Sequence, residues 1–394
     1  MAQNASSEEA LPSYDEGATE ERIDYSSAVE QVRVLIIAAS LDILGGQAVQ
    51  AQRLVSRLKQ EPSLRVGFLS INPRLPGILR KLQSIKYVRT ITTSILYFAT
   101  LLNEIRKYDV IHVFSASYLS FFIAPTPAIL VSKLYGKKVL LNYHSGEAED
   151  HLTRWRRSTI PIIKLVDQVT VPSDYLVRVF AKFGISAQAV FNFLELDQFP
   201  FRERMPVRPV FLSNRNLELH YGVDRVLRAF RIIQQQFPDA TLTIVGDGSQ
   251  RATLEKLEVN LGLQGTTFRG QIPHEKIYEA YQAADIFLNA SEIDNQPLSI
   301  LEAFACGLPV VSTDAGGIPD MVANGATGFI VSRGNYEALA QCAIRLLNDP
   351  GMACEIAHRA HKESLKYRWE VVCQKWLRQY HQMFSKRSEK MAEG

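Results

Sequence analysis

Apolar residues in this chain fall into short unbroken runs, separated by stretches in which they recur every three or four positions. A run such as Val32-Arg33-Val34-Leu35-Ile36-Ile37-Ala38 suits a strand buried in a parallel sheet, and the spaced pattern suits helices covering its faces. The first series predicts strands at Val32–Ala38, Val66–Leu69, Val110–Phe114, Val139–Tyr143 and Val169–Val171. A Gly45-Gly46 loop after the first strand leads into a helix from about Gln47 to Lys59. The pattern lapses around Phe191–Arg208, a Pro- and charge-rich stretch. It then resumes with strands at Val210–Leu212, Thr241–Val245, near Phe268, at 285–289 and at Pro309–Ser312. Helices are expected at about 223–237, 250–261, 275–283 and 297–305, followed by a helical run to about Phe384. Alternation of this kind predicts an α/β chain with doubly wound parallel sheets.

Two Rossmann-like domains of similar size facing a cleft follow from the two series, with ligands expected at the carboxyl ends of the strands. A chain of 394 residues is long enough for two separate cores. The divisions are 1–30, 31–200, 201–385 and a C-terminal tail at 386–394. Residues 1–30 carry eight acids and one base, Arg22, with few apolar residues. Such a segment cannot bury enough surface to offset chain entropy and reads as a disordered acidic tail. It lacks the basic start and apolar stretch of a signal peptide. Residues 31–200 hold 21 Lys and Arg against 11 Asp and Glu, whereas 201–394 balance at 22 against 22. The first domain is therefore the basic one. The four cysteines, Cys306, Cys342, Cys354 and Cys373, form no CxxC pair and suit buried thiols in a reducing cytosol. The longest apolar run, Tyr118 to Val131, is broken by Pro125 and Pro127 and is too short to span a bilayer. A cytoplasmic protein is expected, touching the inner face of a membrane at most.

The chemistry concentrates near the C-terminal third. Asp294 and Glu302 flank a helix start marked by Pro297, after the apolar strand residues Ile286-Phe287-Leu288. Asp294 would lie on the strand-to-helix loop, and Glu302 about one and a half turns into the helix. Taken alone, such a pair could be a helix cap and a solvated glutamate. Beside a helix N-terminus, carboxylates that accept from hydroxyls suit a ligand both polyhydroxylated and phosphorylated, such as a nucleotide sugar. Cys306-Gly307-Leu308-Pro309-Val310-Val311-Ser312-Thr313-Asp314-Ala315-Gly316-Gly317 continues with a helix stop, a buried strand and a tight turn.

The block from Asp285 to Phe329 resembles the donor-binding core of the retaining family 4 glycosyltransferases, whose signature is a Glu, seven residues, and a second Glu. The first acid is Asp here. The resemblance implies the GT-B architecture and a nucleotide-diphosphate sugar as donor. It places Glu302 on ribose hydroxyls and Asp294 on sugar hydroxyls, with the backbone around Gln296, Pro297 and Leu298 completing the sugar pocket. Gly45 and Gly46 match the family's N-terminal loop, which approaches the diphosphate, although a glycine pair also makes a tight turn. Arg215 matches a phosphate-binding Arg, but the Lys that follows it in the family is absent and His220, Tyr221 and Gly222 stand there. His144, at the end of a strand, is similar to the family's active-site His. His112, flanked by apolar residues, reads as a core histidine. Gly246, in Gly246-Asp247-Gly248, and Ile272 resemble loops that line the base.

No Asp-x-Asp and no His/Cys cluster with metal spacing occurs, so a metal-independent reaction without a cofactor is expected. Arg74, Arg80, Lys81, Lys86 and Arg89 are interleaved with apolar residues. Two readings stay open for them: an amphipathic helix packed on its own sheet, or a rim that rests on anionic lipid and admits a lipid-linked hydroxyl acceptor. No aromatic platform or nucleic-acid motif accompanies the basic charge. Cell-envelope polysaccharide or glycolipid assembly follows from the resemblance. A nucleotide-sugar epimerase of the same architecture and a non-catalytic binding protein are the alternatives.

Overall fold

The apolar runs build two six-stranded sheets in a computed structural model that describes residues 31–40, 46–73, 86–115 and 117–392. The first contains β1 (Val32–Ala38), β2 (Leu64–Ser70), β3 (Val110–Phe114), β4 (Lys138–Asn142), β5 (Gln168–Val171) and β6 (Gln188–Ala189). The second contains β7 (Val210–Asn214), β8 (Thr241–Val245), β9 (Thr266–Gly270), β10 (Ile286–Asn289), β11 (Val310–Thr313) and β12 (Phe329–Val331). Spatial orders are β2-β1-β3-β4-β5-β6 and β12-β11-β10-β7-β8-β9. All neighbouring pairs are parallel.

Both faces of each sheet are covered, which is why β1, β3, β10 and β11 read as almost continuous apolar runs. Helix α1 (Gly46–Leu58) follows β1 and buries Ala51, Leu54 and Leu58 against it. Helix α2 (Lys86–Glu104) buries Tyr97 and Leu101. Strand order reverses between β7 and β10 in the second sheet and between β1 and β3 in the first. Loops leaving such neighbours turn to opposite faces, and a crevice opens at their carboxyl ends.

Two strands escaped the sequence pattern. β6 and β12 have two and three residues, too few for a period to be read. The C-terminal helix, Trp369–Ala392, requires a larger correction. Sequence order assigns it to the second domain, with a tail from 386, yet Trp369, Val372, Trp376 and Tyr380 join Val32, Val34 and Phe114 in the core of the first. Helical spacing announces a face to be buried but not the sheet that buries it. The acidic segment 1–30, Gly45, Arg74, Arg80 and Lys81 lie outside the described residues. Among the described residues no helix is long and apolar enough to cross a membrane.

The connector between the domains is pinned by charge. Asp285, fully buried at the start of β10, receives Arg202 at 2.6 Å and the Nε and Nη2 of Arg208, each at 2.9 Å. Arg204 lies beside them, 4% exposed, and donates to the carbonyls of Ala284, Tyr281, Arg202 and Cys306. Burial would raise the Asp285 pKa, but hydrogen bonds from Arg208 and Arg202 outweigh it and hold the group below its ordinary 3.8. Its contribution is therefore complete above that ordinary value and fades as pH falls through the lowered one. Asp285→Ala would leave the neighbouring arginines without their anion, at an expected loss of about 3–5 kcal/mol in denaturant unfolding. A loss below about 1 kcal/mol, the range of an exposed ion pair, would show that the cluster is not holding the connector.

Candidate active site

Two residues reach the crevice because their strands are neighbours. β7 ends at Asn214 and delivers Arg215; β10 ends at Asn289 and feeds a loop that carries Asp294 before the helix Leu298–Ala305 begins. Pro297 stands as the cap residue of that helix, one position earlier than its sequence reading placed it. Arg215 Nη2 forms an ion pair with Asp294 Oδ2. Its Nη1 donates to Ser299 Oγ at 3.2 Å, and the guanidinium carbon lies 4.2 Å from the Tyr221 ring centroid. Tyr221 sits in the stretch where the family resemblance calls for a lysine. Its ring supplies a face on which the guanidinium rests, and a cation over an aromatic ring is favourable.

The Asp294 loop is held by contact between main chains. Gly317 N–H donates to the Asp294 carbonyl at 3.1 Å. A Cβ at Gly316, where φ is 53°, would come within 1.9 Å of that carbonyl oxygen, and one at Gly317 within 2.0 Å of the Asn295 carbonyl. The Gly316-Gly317 turn is therefore what allows the loop to sit where it does. From the other side the first domain closes on it. Asn295 Nδ2 donates to the His144 carbonyl at 2.8 Å, and Gln296 Oε1 accepts from the Asn192 N–H at 2.7 Å.

Glu302, 4% exposed, projects from the helix and accepts from Tyr281 Oη at 2.7 Å, with His274 Nδ1 4.0 Å away. Burial pushes both Asp294 and Glu302 up from their ordinary values. Arg215 opposes it at Asp294, and the Tyr281 hydrogen bond with the charge of Arg53 opposes it at Glu302. His144, two residues beyond β4, stacks on Phe114 with ring centroids 5.2 Å apart. His112 is a core residue: its Nδ1 pairs with Tyr380 Oη at 2.8 Å, and it stacks on Phe114.

A cleft of about 560 Å³ between the domains gathers His144, Arg215, Asp294, Gln296, Pro297, Leu298 and Glu302. Two residues singled out in the sequence do not line it. Gly246 supports the site from behind, since a Cβ there would stand 2.0 Å from the Arg215 carbonyl oxygen. Ile272 packs against the core of the second domain. Gly46 starts α1, and the next residue, Gln47, lines the cleft.

Sequence reading passed over Gln50, Arg53, Tyr221 and His274, which also line the cleft. Gln47, Gln50 and Arg53, polar residues spaced by three along α1, were the available signal. Among the described residues, Gln50 Nε2, the Nη1 and Nη2 of Arg53, Arg215 Nε and His274 Nε2 are buried without a hydrogen-bond partner, against one such acceptor in the lining, Asn295 Oδ1. The nitrogens of Gln50, Arg53 and Arg215 are obligate donors, so this wall asks mainly for acceptors. Among the described residues one mixed group, Glu203, Cys354 and His358, has the convergence of metal ligands, and none of the three lines the cleft.

Two parallel-sheet domains meeting at a cleft of this composition define a GT-B protein. Residues 198–365 match the model of the glycosyl transferases group 1 and residues 44–198 that of glycosyltransferase family 4; the chain belongs to the family 4 glycosyltransferases. It is 31% identical over 261 residues to a GDP-mannose-dependent monoacylated alpha-(1-6)-phosphatidylinositol monomannoside mannosyltransferase of Corynebacterium glutamicum, covering 60% of this chain and 68% of that protein. It is 26% identical over 314 residues to a sulfoquinovosyl transferase of Arabidopsis thaliana, covering 73% of this chain and 60% of the plant protein. The fold is shared with an Anabaena protein solved with UDP-glucose, at a TM-score of 0.66 and 17% identity over 92% of this chain and all of that one. Sucrose-phosphate synthase from Thermosynechococcus elongatus gives 0.69 and 20% over 90% of this chain and 100% of that chain.

Burial pushes His144 down from 6.5 to about 4. Because the folded value lies below the unfolded one, the unfolded chain takes up this proton first as pH falls. The stability it contributes is complete above the ordinary value and is lost as pH drops toward the folded one. In an NMR titration the His144 ring resonances should stay unshifted from pH 8 to about 5.5. A midpoint near the ordinary histidine value would mean the ring is solvated rather than packed against Phe114.

Proposed function

We propose that the protein transfers a sugar from a nucleotide-diphosphate sugar to a hydroxyl acceptor, with retention at the anomeric carbon and without a metal ion or cofactor. The observation that carries this reading is the division of labour in the cleft. Carboxylates at Asp294 and Glu302 line it and can accept from hydroxyls, while unpartnered donors at Gln50, Arg53 and Arg215 call for oxygen-rich, anionic groups. A sugar diphosphate offers both chemistries in one ligand.

In this mechanism Glu302 accepts from the ribose hydroxyls, and Asp294 and His144 orient the transferred sugar. Gln296, Pro297 and Leu298 close the sugar pocket at the helix start. The acceptor hydroxyl enters on the face from which the nucleotide leaves. As the bond between the anomeric carbon and the diphosphate oxygen breaks, that oxygen takes the acceptor proton, and the acceptor oxygen bonds to the same carbon. Negative charge grows on the diphosphate. Arg215 Nε and the N-terminus of α1 at Gly46 stabilise it, and fixed dipoles contribute most in a water-poor cleft. The lack of any Asp-x-Asp supports a cation supplied by the protein instead of a divalent ion.

A lipid-linked acceptor and peripheral contact with the inner face of a membrane fit the first domain. Ile91, Ile95 and Phe98 stand exposed on α2 at i, i+4 and i+7, near the exposed Arg89. Such an apolar stripe with a basic edge suits a membrane surface. Glycolipid or polysaccharide assembly in the cytoplasm is the corresponding role.

Thermal-shift titration with UDP, GDP, ADP and their sugars should give one clear hit, since binding to the folded state raises apparent stability. Glu302→Ala should abolish that shift. Asp294→Ala should keep binding but slow transfer by roughly two orders of magnitude, as expected for loss of a group orienting the reacting centre. Parent-like binding and turnover in both variants would remove the reading. Phe98→Asp should reduce co-sedimentation with phosphatidylcholine vesicles containing about 30% phosphatidylglycerol. Unchanged sedimentation would remove the membrane contact from α2.

A further inference from the structure

Arg53 is the least satisfied cation in the cleft. It belongs to α1, whose residues Gln47, Gln50 and Arg53 all face the second domain across the gap. The Gln47 amide is occupied, donating to the Ser115 carbonyl. The Gln50 amide nitrogen and both terminal nitrogens of Arg53 are buried with no partner among the described residues. The acids that act on Arg53 do so through space. Glu302 takes its hydrogen bond from Tyr281, and Glu195 is paired with Arg57 at 3.0 Å. An unmet charged donor out of water costs more than a neutral one, and such a group asks for a ligand to complete it.

The second domain, meanwhile, lacks a charge. The stretch His220–Gly222, where the resemblance calls for a lysine, holds Tyr221, whose ring supports the guanidinium instead of adding a second cation. Arg215 spends two of its nitrogens on Asp294 and Ser299. That leaves Nε and one N–H on each terminal nitrogen, all on a single cation, for a doubly charged leaving group. Across the cleft, the terminal nitrogens of Arg53 are buried cationic donors without a partner among the described residues.

We propose that Arg53, assisted by Gln50, binds an anionic phosphate oxygen of the nucleotide from the first-domain side and takes over the work of the missing lysine. This rests on the donor reading above. Guanidinium presents paired donors that match two phosphate oxygens at once. Placing one cation on each domain means that the diphosphate draws both walls together, so charge neutralisation and domain registry depend on the same ligand. Arg53 is in this sense a binding residue that also positions the domains.

Calorimetric titration of the full chain with UDP, GDP and ADP, and with uridine, guanosine and adenosine, tests the assignment. For the nucleotide that the parent binds, Arg53→Gln should weaken the diphosphate by roughly 10- to 100-fold, the range for losing a charge-assisted hydrogen bond. Affinity for the matching nucleoside, which has no phosphate, should stay within about twofold, and Arg53→Lys should restore part of the loss. Without nucleotide, the melting temperature of Arg53→Gln should equal or exceed that of the parent, because an unpaired buried charge has been removed. Parent-like diphosphate affinity in Arg53→Gln overturns the proposal while leaving the donor reading intact. Equal losses for nucleoside and diphosphate, with a lowered melting temperature, overturn it in favour of a structural role. A parent that binds none of the three diphosphates removes the donor reading and this proposal together.

Discussion

Neighbouring strands whose loops must leave in opposite directions set the conditions for everything in this cleft. β7 and β10 lie side by side at the point where strand order reverses, so the chain cannot close over their ends. Arg215 emerges from one and Asp294 from the loop of the other, and their ion pair spans the opening. The pair depends on backbone fit as much as on charge. Gly316 and Gly317 admit the Asp294–Asn295 carbonyls at distances no Cβ would tolerate. Tyr221 holds the guanidinium from below. A carboxylate and an arginine are thus fixed in the crevice before any ligand contributes.

Two clusters of arginine and carboxylate illustrate how the surroundings decide what such groups do. Around Asp285, three arginines from the connector find a carboxylate or carbonyl for most of their donors, and the result anchors the connector to the second domain. Around Asp294 and Glu302 the donors outnumber the acceptors. Arg53, Arg215, Gln50 and His274 each keep a buried nitrogen in reserve. A satisfied buried network rigidifies, whereas an unsatisfied one is tolerated only where binding completes it. The same residue types serve architecture in one place and recognition in the other.

The domains are not joined by the connector alone. The C-terminal helix returns to the first sheet and buries Trp369, Trp376 and Tyr380 there. Across the cleft, Asn295 reaches the His144 carbonyl, Gln296 the Asn192 amide, and Arg178 meets Asp320 at 2.8 Å. Several of these contacts use the loop that carries Asp294. Movement of one domain against the other would therefore change the spacing of the carboxylate and the histidine, and α1 carries Arg53 with the first domain.

How much of this was legible beforehand varies with the physical range of the signal. Apolar runs and their spacing located ten of the twelve strands, because burial on two faces leaves a local imprint on composition. The strands missed were too short to carry a period. Asp294 and Glu302 could be placed on a loop and a helix from Pro297 and the preceding apolar run alone. The residues overlooked, Arg53, His274 and Tyr221, acquire their meaning only from what stands opposite them. Gly246 and Ile272 fell near the site in sequence, yet one supports the Arg215 backbone and the other packs in a core. The destination of the last helix was likewise invisible, since a buried face does not name its partner. What the amino-acid order determined by itself was the set of elements, the alternation of the fold and the carboxylates at a helix start, all consequences of short-range periodicity. The tertiary structure alone decided which distant side chains share the cleft and which buried donors are left unmet, because desolvation and pairing depend on neighbours that the chain supplies from far away.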